Sequence, residues 1–269
     1  MNLTFENLGK NINTEFADYF GFVPSDESFI VFNSKRSEAK QRNPDGNYNS
    51  SIYISKVKDG VFQKAKPMAP PINTTSGDAE VIGLSANGDV MLIYYNDFNG
   101  SDDIYISLGD KNNNFKKPEP LPDNINSPKG TEIAASITAD GGTIYFASYR
   151  SGGTGGTDIY VCKKLPTGVW GPAQNLGADI NTNMNEDFPN ISPDGKTLYF
   201  SSSGHTSMGG YDIFKAEWDE PSQKWVNVKN MGYPISSTDD DYNFRISKSG
   251  RFGYISSTRD KGFGDIDIY

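Results

Sequence analysis

The chain has one cysteine and one histidine in 269 residues. With Cys162 alone, no disulfide can close within the chain. With His205 alone, no histidine-rich metal site can be built, and no nucleophile-elbow motif exists for that histidine to serve. No apolar run approaches the roughly 18 residues of a membrane-spanning helix. The N-terminal stretch Met1-Asn2-Leu3-Thr4-Phe5-Glu6 has neither the basic nor the apolar region of an export signal. On that reading the chain is either cytoplasmic or the excised domain of an exported protein. Positive charge is also scarce. Lys and Arg number 25 against 34 Asp and Glu, a formal net charge of −9, which argues against binding a phosphate backbone. No run of five like charges marks a tail or a polybasic membrane anchor.

Glycine, proline and aromatics are plentiful. There are 28 Gly and 15 Pro, and Tyr and Phe dominate an aromatic content of 13%. That composition favours β-strands joined by many turns, and the length suffices for a core without disulfides. Three anchors recur in fixed order. The first leads into a strand: Val23-Pro24-Ser25-Asp26, Leu84-Ser85-Ala86-Asn87-Gly88, Ile137-Thr138-Ala139-Asp140-Gly141, Ile191-Ser192-Pro193-Asp194-Gly195 and Ile246-Ser247-Lys248-Ser249-Gly250. Their fourth residues lie 61, 53, 54 and 55 positions apart. The second anchor is a short strand: Ile52-Tyr53, Asp103-Ile104-Tyr105, Asp158-Ile159-Tyr160, Asp212-Ile213-Phe214 and Asp267-Ile268-Tyr269. The third is a linker: Ile12-Asn13, Ile72-Asn73, Ile125-Asn126, Ile180-Asn181 and Ile235-Ser236.

Each unit reads as four strands, a to d, with an Asp-Gly or Asn-Gly hairpin between a and b, where both turn residues accept positive φ. Four-stranded sheets repeated about an axis are propeller blades. The expected architecture is an all-β, five-bladed β-propeller forming one domain over residues 1–269. Its blades span about 15–71, 76–124, 131–179, 186–234, and 240–269 joined by 1–9. The chain begins on a strand d, Leu3 to Gly9, and ends on a strand c at Tyr269. The N-terminal strand therefore completes the last blade and removes an open sheet edge.

The segment Ile191-Ser192-Pro193-Asp194-Gly195-Lys196-Thr197-Leu198-Tyr199-Phe200-Ser201-Ser202 resembles the WD-repeat-like motif of TolB-type β-propellers. The continuation Gly209-Gly210-Tyr211-Asp212-Ile213-Phe214, and the stretch from Arg150 to Tyr160, are similar to the propeller of Bacteroidetes OmpA-family envelope proteins, including those linked to type IX secretion and gliding. The resemblance covers the whole chain. It implies a periplasmic domain, associated with the outer membrane in its parent protein, that binds envelope proteins without inserting into the membrane. The family's peptidoglycan-binding OmpA-like domain is absent from this sequence. Blades one, two and five depart from the Pro-Asp-Gly core at Ser25-Asp26-Glu27, Ala86-Asn87-Gly88 and Lys248-Ser249-Gly250.

Carboxylates recur at the entrance to strand a. Asp18, Glu132, Glu186 and Asp241 each lie five residues before the anchor, and Glu80 lies four before Leu84. An oxygen ring of this kind could hold Ca²⁺ or Mg²⁺; the alternative is that each carboxylate is used by linker backbone or a loop arginine. No cofactor is otherwise expected. Arg36, Arg150 and Arg259 follow strand b and suit either repeated ion pairs or a cluster for a carboxylated glycan. Asp97 and His205 stand near the corresponding places in blades two and four. His205 is expected to be an exposed loop residue and Cys162 to pack on strand c. Trp170, Trp218 and Trp225 are expected to pack between blades, a sugar-stacking platform being the alternative. The Gly152 to Gly156 loop lacks the Gly-Lys-Ser/Thr ending of a phosphate cradle.

Two functions fit. One is a monomeric, non-enzymatic interaction module that presents its b–c loops to an envelope protein, with Arg36, Arg42, Tyr48, Arg150, His205 and Arg259 as contact residues. The long, charged loop Lys35 to Ser50 would carry its specificity. The other is a glycan-binding or glycoside-hydrolysing propeller using axial carboxylates, although near-equivalence by repeat speaks against separate acid and base roles.

Overall fold

A computed structural model of the chain describes residues 3–36, 48–74, 77–96, 102–259 and 262–269. These residues form five antiparallel sheets and no helix. Blade 1 holds β1 (Asp18–Phe22), β2 (Phe29–Ser34) and β3 (Ser51–Lys58), with β4 (Val61–Phe62) and β5 (Lys66–Pro67) both paired to β3. Blade 2 holds β6 (Asp78–Leu84), β7 (Val90–Asn96), β8 (Asp102–Leu108) and β9 (Glu119–Pro120). Blade 3 holds β10 (Glu132–Ile137), β11 (Thr143–Ser148), β12 (Asp158–Lys163) and β13 (Gln174–Asn175). Blade 4 holds β14 (Glu186–Ile191), β15 (Thr197–Ser202), β16 (Asp212–Asp219) and β17 (Lys224–Asn230). Blade 5 holds β18 (Tyr242–Ile246), β19 (Gly253–Ser257) and β20 (Asp267–Ile268).

The innermost strands touch in a cycle, β1 to β6 to β10 to β14 to β18 and back to β1, so the five blades close into a propeller. The core follows from that arrangement. It is divided into five apolar clusters, one at each junction between blades. Strand alternation points one side chain in two at the neighbouring blade, and the Phe residues of strand b, Phe32, Phe146 and Phe200, are almost wholly buried there. Each contributes roughly 1.5–3 kcal/mol through lost apolar exposure. Trp170 and Trp225 belong to these junctions and Trp218 packs against one of them. Cys162 is buried among them and donates to the Gly171 carbonyl.

The Ile-Asn linker explains the repeat at atomic level. In four blades the asparagine brackets the central residue of strand c. Its Oδ1 accepts the backbone N–H of Ile268, Ile52, Ile104 and Ile159 at 2.8–3.0 Å, from Asn13, Asn73, Asn126 and Asn181 in turn. Its Nδ2 donates to the carbonyl of the same isoleucine. Ser236 makes the shorter version in blade 4, accepting from Ile213. Buried backbone groups must be paired, and the amide side chain accepts the isoleucine N–H and adds a second donor to its carbonyl beside the short outer strand.

The N-terminal segment departs from its expected regularity. It carries no assigned strand, yet Leu8 donates its backbone N–H to Ile268 at 3.2 Å. Met68, Leu121, Leu176 and Met231 make the corresponding bond to Ile52, Ile104, Ile159 and Ile213. Three of the other outer strands are themselves only two residues long, so the fifth blade is closed by the same minimal contact. Asn7 adds a bond to Asp267 at 2.8 Å, and Phe5 packs against the blade 4–blade 5 cluster.

Every innermost strand carries a register irregularity near its middle. At Phe20, Phe188 and Asn243 this irregularity takes the backbone to φ of 55°, 49° and 53°. The kink turns side chains toward the axis. Phe20 and Phe188 meet there with ring centroids 4.9 Å apart, and Ile82 and Ile133 line the same point. The central channel is therefore plugged by apolar groups, leaving separate mouths at its two ends. One mouth opens among the b–c loops and d–a connections, called the top here. The other opens among the a–b turns, called the bottom.

Candidate functional site

The top mouth was the expected home of the repeated carboxylates. Asp18, Glu132 and Glu186 open the inner strands of blades 1, 3 and 4, Asp241 directly precedes that of blade 5, and all four are fully buried. Each is used within its own blade. Its oxygens accept the backbone N–H of the residue after the Ile-Asn or Ile-Ser pair, namely Thr14, Ser127, Thr182 and Ser237. Glu132, Glu186 and Asp241 also accept from a strand-b serine, Ser148, Ser202 and Ser257. Arg36 is 2.5 Å from Asp18, Arg150 is 2.9 Å from Glu132, and Arg259 is 3.7 Å from Asp241. Among the described residues, no three acidic, histidine or cysteine side chains stand together as a metal-binding group. Burial holds the Asp241 carboxyl above the usual range against its hydrogen bonds and Arg259.

The arginines have a second task that the sequence did not disclose. Arg36 and Arg150 each donate to the linker isoleucine carbonyl, Ile12 and Ile125, and Arg259 donates to Pro234 beside Ile235 at 3.2 Å. The guanidinium planes stack on aromatic rings of their own blades, with Arg36 4.4 Å from the Tyr53 centroid and Arg150 4.9 Å from Phe146. Arg259 lies 3.9 Å from Phe5, which ties the N-terminal segment to the same clamp.

Blades 2 and 4 keep the carbonyl bond and change the donor. In blade 4 a ring nitrogen of His205 lies 2.9 Å from the Ile180 carbonyl. His205 is exposed, as expected of a loop residue, but its ring also rests on Phe200 and Phe214. In blade 2 the Tyr95 hydroxyl donates to the Ile72 carbonyl at 2.6 Å. The strand register corrects the reading of Glu80. Ala79 pairs with Tyr95 as Glu132 pairs with Ser148, so Ala79 occupies the acid's place and Glu80 stands on the opposite face.

That opposite face lines the mouth. Register places Tyr19, Glu80, Ile133, Asp187 and Tyr242 at one level, one per blade. Tyr19 donates to Glu80 at 2.6 Å. Burial raises the Glu80 carboxyl from its usual value, with Tyr19 working against the shift. Burial pushes Asp187 up to about 7, opposed by the Phe188 backbone N–H that it accepts. These two acids differ from the four clamp acids in facing the axis, and position five before the anchor could not reveal them.

The b–c loops seal the junctions at the same end. Gly156 donates to the Met184 carbonyl at 2.8 Å and Thr157 to Asn185 at 3.0 Å. A Cβ on Gly155, Gly209 or Gly264 would come within 2.6 Å of the next blade's backbone, so the glycine-rich loops are close-approach packing sites. Exposed apolar side chains crown this face: Tyr149 at 64%, Met184 at 48%, Met208 at 46% and Phe263 at 42% of full exposure. Tyr48 is half-buried and meets Phe16 edge-on, with ring centroids 5.8 Å apart. Arg42, Asp97 and most of the Lys35 to Ser50 loop lie outside the described residues.

No protein-family model matches the chain. No curated protein matches it in sequence either. Solved structures do match in fold. A protein of Agrobacterium tumefaciens designated a TolB superposes with a TM-score of 0.55 at 16% identity, over 96% of this chain and 76% of its own. TolB from Acinetobacter baumannii gives 0.52 at 15% identity, over 90% of this chain and 51% of its own, so the chain spans about half of that protein. A Dyadobacter fermentans protein of unknown function gives 0.55 at 13% identity, over 92% and 73%. The fold is thus a TolB-like five-bladed β-propeller.

Proposed function

We propose that the chain is a non-enzymatic scaffold domain of a bacterial cell-envelope protein and that its top face docks a protein partner. One contrast carries this reading. The repeated acids are consumed inside the blades, whereas exposed tyrosine, methionine and phenylalanine crown the same end of the ring. The four clamp carboxylates, buried and fully used, supply no acid–base pair for hydrolysis, and of the two axial acids Glu80 is held by the Tyr19 hydroxyl. Exposed aromatics and methionines are the residue types that protein interfaces favour. His205 and Tyr48 belong to this face as contact residues. Arg36, Arg150 and Arg259 act behind it, and Arg42 with the Lys35 to Ser50 loop is the variable segment that we assign to specificity. The TolB-like fold and the sequence resemblance to Bacteroidetes OmpA-family propellers support a periplasmic, outer-membrane-associated parent protein and a link to type IX secretion. The domain would act as a monomer.

The test is affinity capture from a solubilised Bacteroidetes envelope fraction. Wild-type domain is expected to retain a defined envelope protein that Tyr149→Ala with Met208→Ala releases, both variants keeping the wild-type melting temperature. Saccharide hydrolysis by the purified domain that vanishes in Glu132→Gln and Glu186→Gln would replace this reading with a glycosidase.

A further inference from the structure

The bottom mouth of the channel holds the one arginine of the inner strands, and its surroundings differ from those of the clamp arginines. Register aligns Phe22, Gly83, Ser136, Asn190 and Arg245, which face Val31, Leu92, Tyr145, Tyr199 and Tyr254 on the adjacent strands. Four of the five are uncharged. Arg36, Arg150 and Arg259 each have a carboxylate. Arg245 has none among the described residues, and its Nε and Nη2 are buried without an acceptor. Its guanidinium carbon sits 3.8 Å from the Phe22 ring centroid, which holds the plane in place.

Arg245 lines a cavity of about 30 Å³ at this mouth, together with Ser136, Asn190, Lys248, Tyr199 and Tyr254. The lining contains two cations and no carboxylate. The volume suits a group of about two to three heavy atoms. Asn190, which lines the cavity, donates to Asn243 on the plug side, and its Oδ1 is buried without a partner among the described residues. Glu27 reaches toward Tyr254 and makes no ion pair with Arg245, and two further turn acids are engaged within their own turns. Asp140 accepts from Thr138 and Gly142, and Asp194 accepts from Ser192 and Lys196. Arg245 is half-buried, with two guanidinium nitrogens shut off from solvent and unpaired; such donors are costly to leave without an acceptor, and guanidinium is matched in shape and charge by carboxylate.

We propose that the bottom mouth is a receptor for a single carboxylate group, with Arg245 as its ion partner and Phe22 as the ring that orients Arg245. The carboxylate is that of a small organic acid or of a peptide C-terminus. The site lies beyond the aromatic plug from the top face and is independent of the docking reading.

The experiment is a thermal-unfolding titration of the full chain at constant ionic strength, with chloride as reference. Formate, acetate and the tripeptide Gly-Gly-Gly are compared with Gly-Gly-Gly amide. Saturable stabilisation is expected from at least one carboxylate and not from the amide, a rise of about 2–4 °C at five times the dissociation constant. Response to formate and acetate alone identifies a small acid; response to the tripeptide alone identifies a chain terminus. Arg245→Met, which keeps the stem over Phe22, is expected to melt no lower than wild type and to lose the response. Should that variant fail to fold, backbone amide shifts of Phe22, Ser136 and Asn190 on formate addition to wild type give the same answer. Absence of any carboxylate response in wild type, an equal response in Arg245→Met, or shifts confined to surface lysines would overturn the assignment.

Discussion

Blade 3 and blade 2 hold the same carbonyl by opposite chemistry. In blade 3, Arg150 donates to Ile125 and is balanced by buried Glu132. In blade 2, the neutral hydroxyl of Tyr95 donates to Ile72, and Ala79 stands where the acid would be. Where the cation disappears, the anion at its side disappears as well. Blade 4 is intermediate. His205 takes the carbonyl, and Glu186 remains, fully occupied by Thr182 and Ser202. The constant element is the linker carbonyl. The carboxylate serves the donor and the linker backbone, which is a fastening role.

The largest effect is expected where the ring itself is closed. Deleting residues 1–9 removes the Leu8 bond to Ile268, the Asn7 bond to Asp267 and the Phe5 stack on Arg259. Partial burial of Phe5 and Leu8 contributes on the order of 2–4 kcal/mol, and the two lost hydrogen bonds, one of them to the Asp267 carboxylate, bring the total to roughly 4–8 kcal/mol. Calorimetry should show a midpoint lowered by about 10 °C or more. An unchanged midpoint would mean that the N-terminal segment is ornamental.

Arg150→Met should come next. It leaves Glu132 buried beside apolar neighbours and the Ile125 carbonyl without its donor, a loss of about 3–5 kcal/mol by urea unfolding. Tyr95→Phe makes the equivalent cut in blade 2 with no charge left behind, and about 1–2 kcal/mol is expected. His205→Ala, at an exposed position, should cost about 1 kcal/mol or less. Equal losses for the Arg150 and Tyr95 variants would show that the buried charge adds nothing to the difference between the blades.

Asp187 carries a titration on the axial side of the ring. Its carboxyl is raised to about 7 by burial, against about 3.9 in an unfolded chain. The folded state therefore binds the proton more tightly, and stability falls as pH rises from about 4 to about 7, then levels. Asp187→Asn should flatten that decline and stabilise the protein at pH 8 by on the order of 1–3 kcal/mol. A variant whose pH profile keeps the wild-type slope would place the titration elsewhere.

The five-fold repeat was legible because its anchors are backbone devices. The linker asparagine has to bracket strand c, and the turn residues need positive φ at Gly88, Gly141, Gly195 and Gly250. The clamp acids were legible for the same reason, since five residues separate each from its anchor. Ala79 also lies five before Leu84, and the acid next to it in sequence, Glu80, stands on the opposite face. Nothing in the spacing shows that tyrosine and histidine replace arginine at the linker carbonyl, because that equivalence lies in where three different side chains end. Arg245 was invisible for a further reason. Among the described residues no carboxylate pairs with it, and that depends on four other blades.

The clamp acids act as fasteners and not as ion ligands. The most direct measurement is the thermal midpoint of wild type and of Glu186→Gln, each with 5 mM Ca²⁺ and with a chelator, chosen at roughly the concentration that would saturate a micromolar-to-submillimolar site. The fastening role predicts one midpoint for wild type in both conditions and a lower one for the variant, again the same in both. A wild-type midpoint that rises by many degrees with Ca²⁺, with no such rise in Glu186→Gln, would contradict it.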